Sequence, residues 1–178
     1  QALTWPLRGV AQVESAKGEF AVEGAPQGYR FRAAADLQGP NVPQGRWTVA
    51  GQGSDQAVRE VKLVGQLLEG SVQADVDAAW KPAVGWRATV SGQGLNPGAH
   101  WKDVPGKLNF RLNTDGGLEN NAPRANVARE ELNGVLSGQP VAGKADVSAQ
   151  NQNLTIRTLR LSAGEARLVA SGELTERW

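Results

Sequence analysis

Along most of this chain, apolar and polar residues alternate one by one. Tyr29–Leu37 shows it most clearly: Tyr29, Phe31, Ala33, Ala35 and Leu37 fall on one side, with Arg30 and Arg32 on the other. Side chains of a β-strand point to its two faces in turn, so this period marks strands with one dry and one wet face. The pattern also runs through Gly9–Ser15 (Ala11, Val13), Glu19–Glu23 (Phe20, Val22), Arg46–Gly51 (Trp47, Val49) and Arg59–Val64 (Val61, Leu63). Gly70–Asp77 carries Val72, Ala74 and Val76, and Val84–Gly92 carries Val84, Trp86, Ala88 and Val90. It resumes in Gly106–Leu112 (Leu108, Phe110, Leu112), Leu132–Ser137, Val141–Ala149, Asn153–Arg157, Leu159–Leu161 and Arg167–Leu174. Arg124–Glu131 fits either a strand or a short helical turn.

Turn chemistry places reversals at Ala16-Lys17-Gly18, Gly24–Gly28 and Gly53-Ser54-Asp55. Gly39–Gly45 (with Pro40 and Pro43), Gln93–Gly106 and Asn113–Pro123 read as loops. No segment keeps a helical period over ten residues. The pattern therefore predicts an all-β fold, about a dozen strands in an antiparallel meander on the order of 60 Å across. So long a sheet must twist, and coil or fold over.

The chain also repeats itself. Gly45–Trp80 matches Gly143–Trp178 without a gap, 98 positions on: Gly45 meets Gly143, Val49 meets Val147, Arg59 meets Arg157 and Trp80 meets Trp178. A weaker match upstream, Trp5-Pro6 and Gly9 against Trp101, Pro105 and Gly106, extends the copies to about 5–80 and 101–178, joined by Lys81–His100. Repeats of this kind form arrays in which each unit buries its apolar face against the next.

Composition narrows the reading. The 178 residues carry a net charge of +1, with Lys and Arg spread singly, which argues against nucleic acid as a partner. Cysteine is absent, so neither a disulfide framework nor a Cys-based metal site exists. No stretch approaches the roughly 18–20 apolar residues of a membrane-spanning helix, and QALTWPLRG lacks the regions of a signal peptide. The apolar residues are mostly Ala, Val and Leu, and there are 22 glycines, which makes a thick closed core hard to fill. Folded over on its dry face, the sheet encloses a hydrophobic trough. With its halves closed on each other, it makes a β-sandwich.

Signals for catalysis are poor. His100 is the single histidine and lies in a Pro/Gly loop, so a Ser/His/Asp triad has no further support. Asp75 and Asp77 share a strand face, a solvated pair unless more oxygen ligands join them around calcium. The GxG at Gly51–Gly53 and at Gly92–Gly94 opens no helix, and Asn153-Leu154-Thr155 is a glycosylation tripeptide only in a eukaryotic secreted protein. The six tryptophans (Trp5, Trp47, Trp80, Trp86, Trp101 and Trp178) pack the sheet or offer stacking platforms for sugar. The chain is expected to be non-enzymatic, with no cofactor and no metal.

Longer runs carry a family resemblance. Leu37–Pro97 and Leu132–Leu174 contain Gly-Arg-Trp before a strand, Leu-Leu-Glu-Gly at Leu67–Gly70, Trp80-Lys81-Pro82 followed by Trp86, Leu95-Asn96-Pro97, and a later LSGxPVxG frame. In these features the chain resembles the TamB-like members of the AsmA-like family. The resemblance implies a long repeat sheet curled into a taco-like half-pipe with a hydrophobic interior. It implies a periplasmic segment of a longer protein of a Gram-negative bacterium, anchored in the inner membrane, and the chain 1–178 reads as one such segment. The implied partners are phospholipid, a TamA-like outer-membrane barrel protein reached through the full-length chain, and unfolded outer-membrane proteins. The implied work is carriage of acyl chains between membranes, or alternatively holding nascent barrel and autotransporter polypeptide; a carbohydrate-binding module is a third reading. The groove lining implied is Phe20, Val22, Tyr29, Phe31, Trp47, Val49, Val61, Leu63, Val72, Val76, Val84, Trp86, Val90, Leu108, Phe110, Leu112, Val147, Leu168 and Leu174.

Overall fold

A computed structural model describes residues 3–5, 13–40, 42–119, 122–150 and 153–175. The strands are β1 (Leu3–Trp5), β2 (Val13–Ala25), β3 (Gly28–Gly39), β4 (Val42–Gly53), β5 (Ala57–Leu67), β6 (Gly70–Ala79), β7 (Gly85–Leu95), β8 (Gly106–Glu119), β9 (Ala122–Leu136), β10 (Gln139–Gln150), β11 (Asn153–Ala163) and β12 (Ala166–Thr175). They form one sheet in strict sequence order, every neighbour antiparallel. The all-β meander expected from the alternation is what forms.

The β-sandwich does not form. All substantial contacts between strands join sequence neighbours, so no half of the sheet covers the other. Yet Ala74, Ala88, Leu95, Val141 and Ala145 are at most 9% exposed. On a flat single layer an alanine methyl stays wet. Such burial requires neighbouring side chains to converge over it, which happens on the inner side of a curled sheet. The core of this protein is that inner face.

Several expected turns are strand instead. Ala16-Lys17-Gly18 lies within β2, where the pairing to β3 slips between Ser15 and Lys17 and the buried Ser15 hydroxyl donates to the Lys17 carbonyl at 2.9 Å. Its polar residues make a bulge, not a reversal. β4 begins at Val42 and includes Pro43, which has no Cα partner in either ladder, so its missing N–H costs no sheet bond. Asn113–Pro123 contributes to β8 and β9 because its polar side chains bond across strands: the Thr89 hydroxyl donates to Asn113 Oδ1 at 2.8 Å, and Asn126 Nδ2 to Asp115 Oδ2 at 3.0 Å. Arg124–Glu131 is strand, within β9. The part of the predicted Gly9–Ser15 strand before Val13 lies outside the described residues, as does Trp178.

The long connection from β7 to β8 is irregular as expected, with a 3₁₀ turn at Pro97–Ala99. Asn96 fixes it: Nδ2 donates to Glu69 Oε2 at 2.6 Å, while Oδ1 accepts from the Gly98 and Gly106 amides at 3.0 and 3.1 Å. The Asn96 amide donates to the Leu68 carbonyl at 2.7 Å. One asparagine thereby ties the β5–β6 turn to the β7–β8 loop.

The two matching stretches, Gly45–Trp80 and Gly143–Trp178, fall on β4–β6 and β10–β12. Lys81–His100, the segment between the expected copies, contains all of β7, paired in the same sheet.

Candidate apolar channel face

Direct cross-strand partners share a face, so the register traces one face across the whole sheet. Start from Phe31. It pairs Val22 on one side and Gly51 on the other, and Ala33 pairs Phe20 and Val49. From β4, Trp47 leads to Gly65 and Val49 to Leu63; β5 passes Val61 to Val76 and Gly65 to Val72. Ala74 then meets Val90, Ala78 meets Trp86, and Val90 meets Leu112. Beyond β8 the face continues through Leu132, Val127, Val141, Val147, Ile156, Leu159, Leu161, Leu168 and Leu174.

Eighteen of the nineteen residues named from the sequence thus sit on this one face. Val84 lies in the connection before β7, where its carbonyl accepts from the Leu118 amide at 3.0 Å. The opposite face carries Arg30, Arg32, Lys62, Asp75, Arg87, Lys144 and Arg160, all exposed.

The face survives because bulges absorb every slip in counting. Val58 and Val61 both belong to it although one is even and one odd, since the β5–β6 pairing shifts between them. The β11–β12 pairing shifts likewise between Ile156 and Leu159. The β11 bulge aims Arg157 outward to Asp146, with Nη2 at 2.6 Å and Nε at 2.8 Å from Oδ1. That hydrogen bond first, and the carboxylate's charge second, hold the guanidinium above its ordinary pKa. Counting by twos in the sequence misses Leu132, Val141, Leu159 and Leu161 as members of the face. The signal that finds them is alternation resumed with opposite parity after a polar pair.

Glycines decide how the face is surfaced. Phe31 pairs Gly51, Tyr29 pairs Gly53, Trp47 pairs Gly65, Phe110 pairs Gly92 and Trp86 pairs Gly116. A Cβ built on any of these glycines falls 2.2–2.9 Å from its partner's ring. Each ring therefore lies down over the bare backbone of the adjacent strand. Leu161 covers Gly143 in the same way. Large side chains that would otherwise stand up as ridges are laid flat. The Trp47 indole N–H is buried without a hydrogen-bond partner, so this ring is held by packing alone.

The bounded depressions are lined mainly from the polar face. Two of about 430 and 550 Å³ open on the polar face, floored by Ala21 and Ala50 and flanked by Arg32 and Lys62. Charges of both signs surround them, and neither holds an unsatisfied buried polar group. The apolar face is a continuous surface running across the sheet from β2 to β12.

The residues weighed for other chemistry are dispersed. His100 packs edge-on against Trp101, ring centroids 4.7 Å apart. Asp77 accepts from the Glu60 amide at 2.9 Å on the outer face. Among the described residues no three acidic, histidine or cysteine side chains cluster as a metal site. Trp80 donates its indole N–H to the Asp55 carbonyl at 2.7 Å, at the edge opposite to Trp101. Among the described side chains, Trp47, Trp80, Trp86 and Trp101 do not gather into one stacking platform.

The family model described as TamB, N-terminal domain, matches residues 1–178, the full chain. Among curated proteins the chain is similar to the translocation and assembly module subunit TamB of Haemophilus influenzae, with 27% identity over 150 residues. That match covers 83% of this chain and 12% of the relative, so the chain spans a small part of that protein's length. No solved structure matches.

Proposed function

Because this chain belongs to the TamB, N-terminal domain family, we propose that it is a stretch of apolar channel that carries phospholipid acyl chains across the periplasm. The observation that supports this reading most is the single dry face kept in register through eleven strands, β2 to β12, with no second layer over it among the described residues. An apolar surface of that size is a liability unless something apolar covers it. Acyl chains suit a surface without deep pockets. Each buried CH₂ gains about 0.8 kcal/mol wherever it lies along such a face, so sliding costs little net free energy. The rings laid over glycines remove ridges that would trap a chain. Headgroups stay in water at the open side.

The relative's name places it in a translocation and assembly module. On this proposal the segment serves that module by supplying lipid for outer-membrane biogenesis. The longer protein would be anchored in the inner membrane and meet a TamA-like barrel protein at the outer one. No residue acts as catalyst.

The test is native mass spectrometry of the purified chain with analysis of extracted lipid. Phe31→Glu and Val72→Glu each put a charge on the channel face; Gln73→Glu puts the same charge on the outer face, next to Val72. Co-purifying phospholipid is expected with the wild type and Gln73→Glu, and is expected to be lost in folded Phe31→Glu and Val72→Glu. A lipid-free wild type, or folded channel variants that keep their lipid, would overturn the proposal. The first outcome would favour polypeptide as the cargo.

A further inference from the structure

In the connections between β2 and β12 the basic residues are Lys81 and Lys102, and each directly follows a tryptophan. Trp80-Lys81 lies between β6 and β7, and Trp101-Lys102 between β7 and β8. They therefore mark the two ends of one strand, β7, which is paired on both sides. Trp80 is 41% exposed and Trp101 45%. Both lysines are exposed, and neither makes an ion pair within the described part of the chain. An exposed valine follows each pair, Val84 and Val104. Asp103 stands beside Lys102; elsewhere the charged residues of these connections are acidic, Asp55, Glu69 and Glu165. An anion moving along either margin of the sheet, where the strands turn, meets an amine only at the ends of β7.

Both tryptophans are held in place. The Trp80 and Lys81 amides donate to the Gln56 carbonyl at 2.9 and 3.3 Å, and the Trp80 indole reaches the Asp55 carbonyl, so this turn is tied to the β4–β5 turn. At the other margin the Trp101 amide donates to the Pro97 carbonyl at 2.8 Å, and the Trp101 carbonyl accepts from the Val104 amide at 2.9 Å. The His100 ring braces the indole edge-on, and Asn96 ties the loop to the β5–β6 turn. A large side chain already fixed in an exposed position loses little freedom when something covers it, which is preorganisation for a ligand.

Amine, indole and valine at each end match the boundary between a lipid's headgroup and its acyl chains, where indoles prefer to sit. Length agrees. β7 has 11 residues, about 36 Å at roughly 3.3 Å each. An acyl chain spans about 15 Å, half of a bilayer core, so a lipid held at either end of β7 lays its chains toward the middle of the strand. Resting on the channel reading above, we propose that the two Trp-Lys pairs are stations for the phosphate of a glycerophospholipid whose acyl chains lie on the channel face of β7. Lys81 and Lys102 pair with the phosphate, and the indoles cover the glycerol end of the chains.

Dioleoylphosphatidylglycerol and dioleoylglycerol carry the same acyl chains, one with the phosphate and one without. The test presents both, in one detergent, to the purified chain, and native mass spectrometry reads which is bound. The wild type should prefer the phosphatidylglycerol by about fivefold, the worth of one lysine near anionic lipid, and the preference should shrink as salt is raised. Lys81→Gln with Lys102→Gln should abolish the preference and leave dioleoylglycerol binding unchanged. Lys144→Gln, the same change on the outer face of β10, should keep it. Trp101→Ala should weaken both lipids alike, by about threefold to tenfold, from the apolar area no longer covered. Equal binding of the two lipids by the wild type, a preference that survives loss of both lysines or falls as far with Lys144→Gln, or a Trp101→Ala without effect would each overturn this proposal and leave the channel standing. Binding of neither lipid would overturn both.

Discussion

Gly65→Ala should destabilise this protein although a strand normally gains from losing a glycine. Replacing glycine where alanine fits stabilises by about 0.4–1 kcal/mol, because the unfolded chain has fewer conformations to lose. Gly65 does not have a positive φ, so backbone strain plays no part. The obstacle is Trp47. The new methyl would lie 2.6 Å from Cζ3, 2.7 Å from Cε3 and 2.9 Å from Cη2 of its indole. Three ring carbons inside contact distance cannot be relieved by a small torsion. The indole must tilt off the strand, and overpacking of this kind costs about 1–3 kcal/mol. The net expectation is a loss of about 1–2 kcal/mol, a drop of roughly 0.5–1 M in the urea midpoint. Gly28→Ala is the matched control, since nothing lies within 4 Å of its added methyl; it should be neutral or raise the midpoint. Pairing Gly65→Ala with Trp47→Leu should recover most of the loss, a coupling of about 1 kcal/mol or more in the double-mutant cycle. Urea titrations followed by circular dichroism read all five proteins: wild type, Gly65→Ala, Trp47→Leu, the double variant and Gly28→Ala. If Gly65→Ala is as stable as Gly28→Ala, the rings do not rest on the glycines and the account of the channel surface fails.

Two further outcomes are expected from the connections. Asn96→Ala removes three side-chain hydrogen bonds, one to Glu69 of the β5–β6 turn and two within the β7–β8 loop, and should cost about 2 kcal/mol in the same titration; an unchanged midpoint would show that this rim stands without them. Leu68 and Glu69 make a two-residue turn with φ of 52° and 62°, a conformation that asparagine adopts far more readily than leucine. Leu68→Asn should therefore raise the midpoint by the equivalent of about 0.5–1 kcal/mol, and a fall would mean that the Leu68 side chain packs more than its backbone strains.

The sequence displays this fold where each strand has one wet face, since Tyr29–Leu37 or Gly70–Asp77 can be read by eye. It conceals the places where polar residues bond sideways within the sheet. Asn113 and Asp115 look like a loop because their hydrogen-bond partners, Thr89 and Asn126, are distant in sequence. Lys17 and Gly18 look like a turn because a bulge needs the same residues. The channel face was legible up to the first bulge and again after it, but not across it: Val58 and Val61, or Ile156 and Leu159, change parity while keeping side. The glycines were visible and their role was not. Only the register says that Gly65 lies under Trp47 and Gly116 under Trp86. Curvature leaves no mark in the alternation at all, and shows first in alanines buried without a second layer.

That strands make substantial contact only with those next to them in sequence also bears on how such a chain becomes folded. Every pairing closes a short loop, so little conformational entropy is lost before contacts reward it, and folding should be fast for an all-β protein. No strand waits for a distant partner. A chain delivered end first, as by secretion across a membrane, could lay down this sheet one hairpin at a time. The growing edge would then be the one hazard at each moment, moving along the molecule as it is made.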